Sequence, residues 1–435
     1  MSAAVARQPP SLIRSLSFAA AEKVVRACVT FVVGIAVLRH LGPEGNAELS
    51  NVVATVALFA TLAKLGLDNV VLREVADRPG ESARTIGQFM ILRLAASIAT
   101  VSCLIYFAEL VFPGKPMPVV LIAAALVLIQ ASDLGLLWCQ GLRLLQFTSI
   151  VMIAVVLVSA AVKIVLILTG ATYVAFLVLL IADLVVAGMA MNIGALRFRP
   201  RGGGVPPAGV RITSVPEVGY SLAISVVTVA YFSFDAVVLP RLMPLEEAGR
   251  FLAAKSLVDG ASAIGGSFTV ALFPFLVAAR NRSGQALDEV FEASLTVAAY
   301  LGLAMAGALI LGYFLVIDTV LGSRFHGIGG AIVCLALGMA LFFQAGLIDS
   351  RLTIHRRVGT VLVKAVLALA LKAAMIIGLG QSLTPTVIAV TTIVSAYAAT
   401  LAVTYFALPA MFWSQTRSLS PTRLIPAVNT LRGLR

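Results

Sequence analysis

Eight basic side chains lie inside apolar stretches of this chain, where charges are rare. Six of the eight are lysines, although the whole sequence holds seven lysines against twenty-five arginines. Lysine loses its proton readily on burial, whereas arginine stays charged. The bias therefore predicts a cationic passage through a membrane, with sites that bind an anion and can also release it. The eight are Lys23, Arg26, Lys64, Arg93, Lys163, Lys255, Lys364 and Lys372.

Five carboxylates lie in the same apolar stretches. Intramembrane carboxylates commonly relay protons or hold Na⁺, so these five are predicted to couple an ion gradient to movement of the anion. A structural alternative is open, because Lys64 and Asp68 have the i,i+4 spacing of an ion pair on one helix face, as do Lys255 and Asp259. Hydrogen bonding between helices is a further alternative. The five are Asp68, Asp133, Asp183, Asp235 and Asp259.

A structural explanation is also open for several cations. Lys23 and Arg26 have stems long enough to carry their charges to the inner headgroups, and Glu22 stands four residues before Arg26. Arg93 and Lys364 lie within about two turns of a predicted cytoplasmic boundary, which allows the same explanation.

Lys163 and Lys372 are the hardest to explain structurally. Neither has an acid at helical spacing on its own segment, and an unpaired lysine that faces lipid is costly. These two are therefore the strongest candidates for anion ligands.

The composition places the charges in a membrane protein. Of 435 residues, 60% are hydrophobic and 12% are charged, and the mean hydropathy is +1.02. Soluble domains carry about twice that share of charge. The apolar runs are continuous rather than alternating, so they predict an all-α polytopic membrane protein with twelve transmembrane helices. The runs are 17–41, 47–72, 85–112, 117–139, 146–169, 171–196, 217–240, 248–278, 288–318, 328–349, 358–380 and 385–413.

Basic residues between the runs predict the orientation. Nineteen lie at the termini and in the even-numbered breaks, against five in the odd-numbered breaks. By the positive-inside rule, both termini are cytoplasmic. The first run lacks a small-residue cleavage site, so no removable signal peptide is expected. We expect a multi-pass membrane protein.

A Gly- and Pro-rich break divides the chain into two halves. The predicted organisation is a six-helix bundle at 1–198, a cytoplasmic linker at 199–216, a second six-helix bundle at 217–414 and a basic cytoplasmic tail at 415–435. At an offset of 201, Leu38–Pro43 aligns with Leu239–Pro244 at the end of an odd-numbered run. This predicts a parallel repeat with its pseudo-twofold axis along the membrane normal.

No catalytic motif is present, so the chain is not expected to be an enzyme. The sequence has no Walker A, GxGxxG, GxSxG or HExxH pattern. Its four cysteines lie in apolar runs without metal-ligand spacing, which favours buried free thiols. We expect no metal and no nucleic-acid partner, and the basic tail is predicted to touch anionic lipid.

Several strings resemble bacterial lipid-linked oligosaccharide flippases, the Wzx-type polysaccharide transporter branch of the multidrug/oligosaccharidyl-lipid/polysaccharide exporter superfamily. They are Leu38–Glu44, Leu65–Arg73, Gly141–Arg143, Phe234–Leu239 and Glu247–Phe251. The resemblance implies two six-helix bundles in a V, which alternate between inward- and outward-open states. It implies an undecaprenyl-diphosphate-linked sugar unit as cargo and drive by H⁺ or Na⁺ counterflow, with no other cofactor.

The expected partners are the lipid-linked oligosaccharide, membrane lipids, a polysaccharide polymerase and a chain-length regulator, around a monomer. On this hypothesis, the basic side chains of both bundles converge on one water-accessible vestibule.

Two other functions stay open. A multidrug extruder of the same superfamily would export organic cations, and its pore should be acidic and aromatic. The eight cations outnumber the acids in the apolar runs, and the sequence has only two tryptophans, which favours the flippase. A non-transporting scaffold of a polysaccharide assembly complex would be insensitive to removal of the buried charges.

Overall fold

The computed structural model describes residues 12–198, 215–355, 357–407, 409–418 and 420–432, and within them all regular structure is helical. The predicted linker at 199–216 lies outside the described residues except for its last two positions. The first half, here the N-half, contains α1 (Leu12–Ala63), α2 (Asp68–Asp77), α3 (Ser82–Tyr106), α4 (Ala108–Val111), α5 (Met117–Ser132), α6 (Gly135–Gly141), α7 (Leu145–Leu168) and α8 (Tyr173–Phe198).

The second half, here the C-half, has ten α-helices among its described residues. They are α9 (Val215–Leu242), α10 (Leu245–Arg282), α11 (Gly284–Gly312), α12 (Asp318–Leu321), α13 (Gly329–Leu337), α14 (Met339–Ile354), α15 (Val358–Leu379), α16 (Pro385–Ala407), α17 (Pro409–Arg417) and α18 (Leu424–Arg432). A π-helical turn at Tyr313–Ile317 extends α11.

Among the described residues, ten helical stretches are long and apolar enough to cross a membrane. The chain is therefore a multi-pass membrane protein. The ten count α1 as a single stretch and do not include α10. Helix α1 is itself two helices that meet at Gly42, which has a φ of 68° and a ψ of −179°. The number twelve and the twofold repeat stay predictions.

The predicted run 47–72 is wrong as a continuous helix. The helix ends at Ala63, and both Leu65 and Gly66 have positive φ, at 57° and 64°. A Cβ at Gly66 would lie 2.6 Å from the backbone nitrogen of Leu222, so only glycine fits this close approach between the halves. A new helix, α2, then begins at Asp68.

Two hairpin turns join the halves. The first lies at Gly42 in α1, and the second lies between α9 and α10. A Cβ at Gly249 would lie 1.8 Å from the carbonyl oxygen of Pro43, so the two backbones touch with no side chain between them. Asn46 donates to the carbonyl of Gly249 at 3.1 Å, and Asn51 donates to that of Ala236 at 2.9 Å. The structure thus brings together the two strings that match at an offset of 201.

These contacts define two ends of the molecule. The hairpin end carries the turns at Gly42 and Met243, and the sequence predicts that it faces outward. The linker end carries the break at Gly66 and the nearby first turns of α9. The sequence predicts that this end is cytoplasmic. At the hairpin end Arg241 also ties the halves, because its Nη2 donates to the carbonyls of Leu110 at 3.1 Å and Val111 at 2.9 Å.

The C-terminal segment is fastened to the C-half. The side chain of Gln344 donates to Oγ of Ser418 at 2.7 Å, and Arg423 lies 3.2 Å from the carboxylate of Glu292. Helix α18 packs against α11. The described residues of the predicted tail, 415–418 and 420–432, are therefore mostly helical and docked.

Candidate functional site

A cavity of about 120 Å³ lies inside the C-half. Two lysines and one aspartate face it among mostly apolar neighbours from α9, α10 and α13 to α16. The charged and aromatic lining residues are Tyr231, Phe232, Lys255, Asp259, Phe342, Lys372 and Tyr397.

The cavity lies nearer to the hairpin end. Asp235 is seven residues before the end of α9, and Lys372 is seven residues before the end of α15. Lys255 is ten residues after the start of α10. At 1.5 Å per residue these positions are roughly 10–15 Å from the helix ends. The cavity charges are therefore held on helices well inside the apolar part of the bundle.

Lys372 forms a fully buried ion pair with Asp235. The side chains of both residues are 0% exposed, and Nζ of Lys372 lies 2.7 Å from Oδ2 of Asp235. Nζ also donates to the carbonyl of Tyr231 at 3.2 Å and lies 4.5 Å from the centre of its ring. Among the described residues, Oδ1 of Asp235 has no hydrogen-bond partner. The pair links α9 to α15.

Tyr231 extends this network to α16. Its hydroxyl donates to the carbonyl of Thr392 at 2.7 Å and lies 3.5 Å from Oγ of Ser395. The ring that contacts the Lys372 ammonium is thus fixed at its far edge.

Lys255 forms a second ion pair at the same cavity. Its Nζ lies 2.5 Å from Oδ2 of Asp259, one helical turn along α10, and 5.8 Å from the centre of the Phe232 ring. The Lys255 side chain is 12% exposed, whereas that of Asp259 is 54% exposed. The pairing has the predicted i,i+4 geometry. The two lysines and the two aspartates carry equal and opposite formal charges, so the cluster is formally neutral. The two pairs also interact electrostatically with each other.

A second charged cluster lies in the N-half, where α1 breaks near the linker end. Arg93, whose side chain is 1% exposed, pairs with Asp68, whose side chain is 51% exposed. Asp133 interacts electrostatically with both Lys64 and Arg93. The alternative pairing of Lys64 with Asp68 is wrong, because the helix ends at Ala63 and the two residues do not share a helix face.

Asp133 and Asp183 have local partners. Asp133 follows the last residue of α5, and its Oδ1 accepts a hydrogen bond from the backbone N–H of Gly135 at 3.2 Å. Asp183 on α8 accepts from Oγ of Ser159 on α7 at 2.6 Å. Interhelical hydrogen bonding, the structural alternative, therefore describes Asp183 in this structure.

The remaining predicted cations lie apart from the cavity. Lys163 is partly buried on α7, in the N-half. Lys364 pairs with Asp349. Arg26 lies 3.4 Å from Glu22, as the i,i+4 spacing predicts, and Lys23 beside them is partly buried.

The structure thus groups the charges in two places rather than one. One cluster contains Lys255, Asp259, Lys372 and Asp235 near the hairpin end, and the other contains Lys64, Asp68, Arg93 and Asp133 near the linker end. The described contacts do not bring the cations of both halves to a single vestibule.

The aromatic side of the cavity is not predicted from the sequence. Tyr231, Phe232, Phe342 and Tyr397 line it, although the low tryptophan content suggests a pore poor in aromatic groups. Tyr231 and Phe232 stand four and three residues before Asp235, so the sequence near a predicted site residue does point to them. No predicted site residue lies near Phe342 or Tyr397 in the sequence, so nothing there points to them.

Comparisons with known proteins give a matching family and several solved structures with a similar fold. Residues 12–280 match the family model described as polysaccharide biosynthesis protein. No curated protein matches the chain. The fold resembles an inward-facing multidrug resistance MATE family transporter of the MOP superfamily, with a TM-score of 0.61 at 12% identity. That match covers 92% of this chain and 100% of the other.

Two further solved structures share the fold. The lipid II flippase MurJ, in an inward closed conformation, has a TM-score of 0.56 at 11% identity, over 94% of this chain and 97% of that chain. The MATE multidrug transporter DinF-BH has a TM-score of 0.54 at 15% identity, over 93% of this chain and 97% of that chain. At these identities the likeness is one of fold.

Proposed function

We propose that this chain, which belongs to the polysaccharide biosynthesis protein family, is a flippase for undecaprenyl-diphosphate-linked oligosaccharide units. It moves them across the bacterial inner membrane for assembly of O-antigen, exopolysaccharide or capsule. Both termini face the cytoplasm, and the chain works as a monomer that delivers cargo to a polymerase and a chain-length regulator.

The observation that carries the proposal is the pair of lysines at one intramembrane cavity. Lys255 and Lys372 both line it, and open space lies beside them. A diphosphate carries about two negative charges and cannot enter hydrocarbon unaided, because an unpaired ion there loses its hydration. Ammonium groups in a low-dielectric cavity offset that loss through charge-assisted hydrogen bonds.

The two clusters supply anion sites at different depths. Lys64 and Arg93 are suited to receive the headgroup near the linker end, and Lys255 and Lys372 are suited to hold it nearer to the hairpin end. The cavity is too small in this state for a whole glycolipid. It therefore takes part of the headgroup here and widens as the halves alternate in access.

The acids provide the means of release. Asp68 and Asp259 are each paired with a cation that the cargo also needs, and Asp235 holds Lys372. Binding or loss of H⁺ or Na⁺ at these acids changes how strongly each cation holds a phosphate. Asp133 and Asp183 are the other candidates for coupling to the ion gradient.

The test is transport by the purified protein in proteoliposomes. The probe is a short-chain polyprenyl diphosphate that carries one fluorescent sugar, and its movement is followed by quenching in the outer leaflet. Wild type should equilibrate the probe between leaflets, and an imposed pH or Na⁺ gradient should shift the distribution of the probe toward one leaflet.

Lys255→Gln should abolish movement of the probe. Arg250→Gln on the same helix should not, because Arg250 pairs with Glu246 and Glu247 away from the cavity. Wild-type behaviour of Lys255→Gln would contradict the proposal.

Export of organic cations is the second candidate, and the aromatic lining favours it. Four aromatic rings and the exposed Asp259 carboxylate face the cavity, as a cation site requires. Ethidium in the same proteoliposomes separates the two functions. Gradient-driven ethidium movement that is lost in Asp259→Asn, with no movement of the glycolipid probe, would replace the flippase by an extruder.

A further inference from the structure

The two ion pairs at the C-half cavity differ in the exposure of their acids. Asp235 and Lys372 are both sealed from solvent, with 0% exposure on each side. In the other pair Lys255 is 12% exposed, while Asp259 is 54% exposed. The Lys255 ammonium is thus largely buried, but its counter-ion stands in the open part of the cavity.

This difference decides which acid can leave its cation. An exposed carboxylate that rotates away exchanges an ion pair for hydration, and exposed pairs contribute little net free energy. A sealed carboxylate that separates from its cation leaves two uncompensated buried charges, which is strongly unfavourable. Asp259 is therefore able to exchange, and Asp235 is not.

Resting on the proposed function, we propose that Asp259 is the resident counter-anion of Lys255, which a phosphate group of the cargo displaces. In the empty cavity Asp259 neutralises Lys255. When a diphosphate enters, the Asp259 side chain rotates toward water and the phosphate takes its place on Nζ. Lys372 stays paired with Asp235, so its charge remains neutralised.

The arrangement makes Asp259 a specificity-determining residue. Any entering anion has to outcompete a carboxylate that is already tethered one helical turn away. A second carboxylate gains little by that exchange, whereas a diphosphate brings more charge and more acceptor oxygens. The empty site is also neutral, so it does not attract small inorganic anions.

The N-half repeats the same design with different residues. Arg93 is 1% exposed and its partner Asp68 is 51% exposed. A buried cation with a half-exposed acid therefore occurs in both clusters, at opposite ends of the molecule.

The test measures binding to the full-length protein in detergent micelles. The probes are geranylgeranyl diphosphate, geranylgeranyl monophosphate and the matching C20 carboxylic acid, with geranylgeraniol as the uncharged reference. Asp259→Asn should bind the diphosphate about tenfold more tightly and should lose most of its discrimination against the carboxylic acid. Transport of the fluorescent glycolipid should slow in the same variant, because release slows.

Glu246→Gln is the matched control. Glu246 also pairs with a cation four residues along α10, Arg250, but neither lines the cavity. Binding in this variant should equal that of wild type. Asp259→Ser replaces Asp259→Asn if the latter unfolds.

The outcomes separate this inference from the proposed function. If Lys255→Gln loses diphosphate binding but removal of the Asp259 charge does not tighten it, Asp259 is not a displaced counter-anion and the flippase stands. If wild type binds the diphosphate no better than geranylgeraniol, the flippase proposal itself fails. Tighter binding in Asp259→Asn that is absent from the double variant Lys255→Gln/Asp259→Asn supports the inference.

Discussion

The two halves of this protein hold their buried charges in different ways. In the N-half the charges gather where helices end: α1 stops at Ala63, α2 starts at Asp68, and Asp133 follows the end of α5. In the C-half, Asp235, Lys255 and Lys372 lie in the interiors of continuous helices, and the two lysines line a cavity with aromatic walls.

The difference shows two routes to an intramembrane ion site. At a helix break, backbone geometry and partial exposure make charges tolerable, so arginine serves as well as lysine. In the middle of packed helices, each cation needs an acid of its own, and lysine is used for both. The first route relies on local backbone geometry, and the second relies on a dedicated acid for each cation.

The largest expected effect tests the sealed pair. Asp235→Asn leaves the Lys372 ammonium uncompensated in the interior, so the free energy of unfolding should fall by about 3–5 kcal/mol. Asp68→Asn should lower it by only about 1 kcal/mol, because Asp133 remains to interact electrostatically with the buried Arg93. Equilibrium unfolding in mixed micelles measures both. Equal losses in the two variants would remove the contrast between the clusters.

An intermediate effect tests the N-half as an anion site. Arg93→Gln removes one charge-assisted contact of roughly 1.5–3 kcal/mol, so the initial transport rate of the glycolipid probe should fall at least about tenfold. Arg93→Lys keeps the charge and should recover most of that rate. Flipping assays in proteoliposomes compare the two variants. If Arg93→Gln transports at the wild-type rate, the N-half cluster is structural.

The smallest effect concerns Lys163. The sequence singles out this lysine, but the structure places it on α7, outside the cavity lining. Lys163→Gln should therefore change the transport rate by less than about twofold, since a partly exposed charge contributes little. Lys255→Gln in the same assay is the reference for a lining lysine. A loss at Lys163 as large as that at Lys255 would require a third anion site in the N-half.

The sequence predicted the class of molecule and its family well. Continuous apolar runs predicted a helical multi-pass membrane protein, which the structure confirms. The family resemblance is confirmed by the match of residues 12–280 to the polysaccharide biosynthesis protein family, a range that includes all five strings that carry it. Spacing along one helix also predicted two ion pairs correctly, Lys255 with Asp259 and Arg26 with Glu22.

Helical spacing did not predict ion pairs correctly where the helix breaks or where the partner lies far away in the sequence. Lys64 and Asp68 have helical spacing, but the positive φ angles of Leu65 and Gly66 end the helix between them. Lys372 looked unpaired because its acid, Asp235, is 137 residues away on another helix. One sequence without aligned relatives carries no signal for such a contact, since any of several buried acids was a possible partner.

The backbone contact of Pro43 with Gly249 has a mechanical consequence. Because no side chain separates the two backbone segments there, the junction cannot be compressed, and in the proposed alternating-access cycle it would serve as the fulcrum. Helix α10 continues for 33 residues beyond Gly249, a lever arm of roughly 50 Å. In that cycle a slight tilt would be amplified at the far end of α10, while Lys255, about 9 Å along the arm, would scarcely shift.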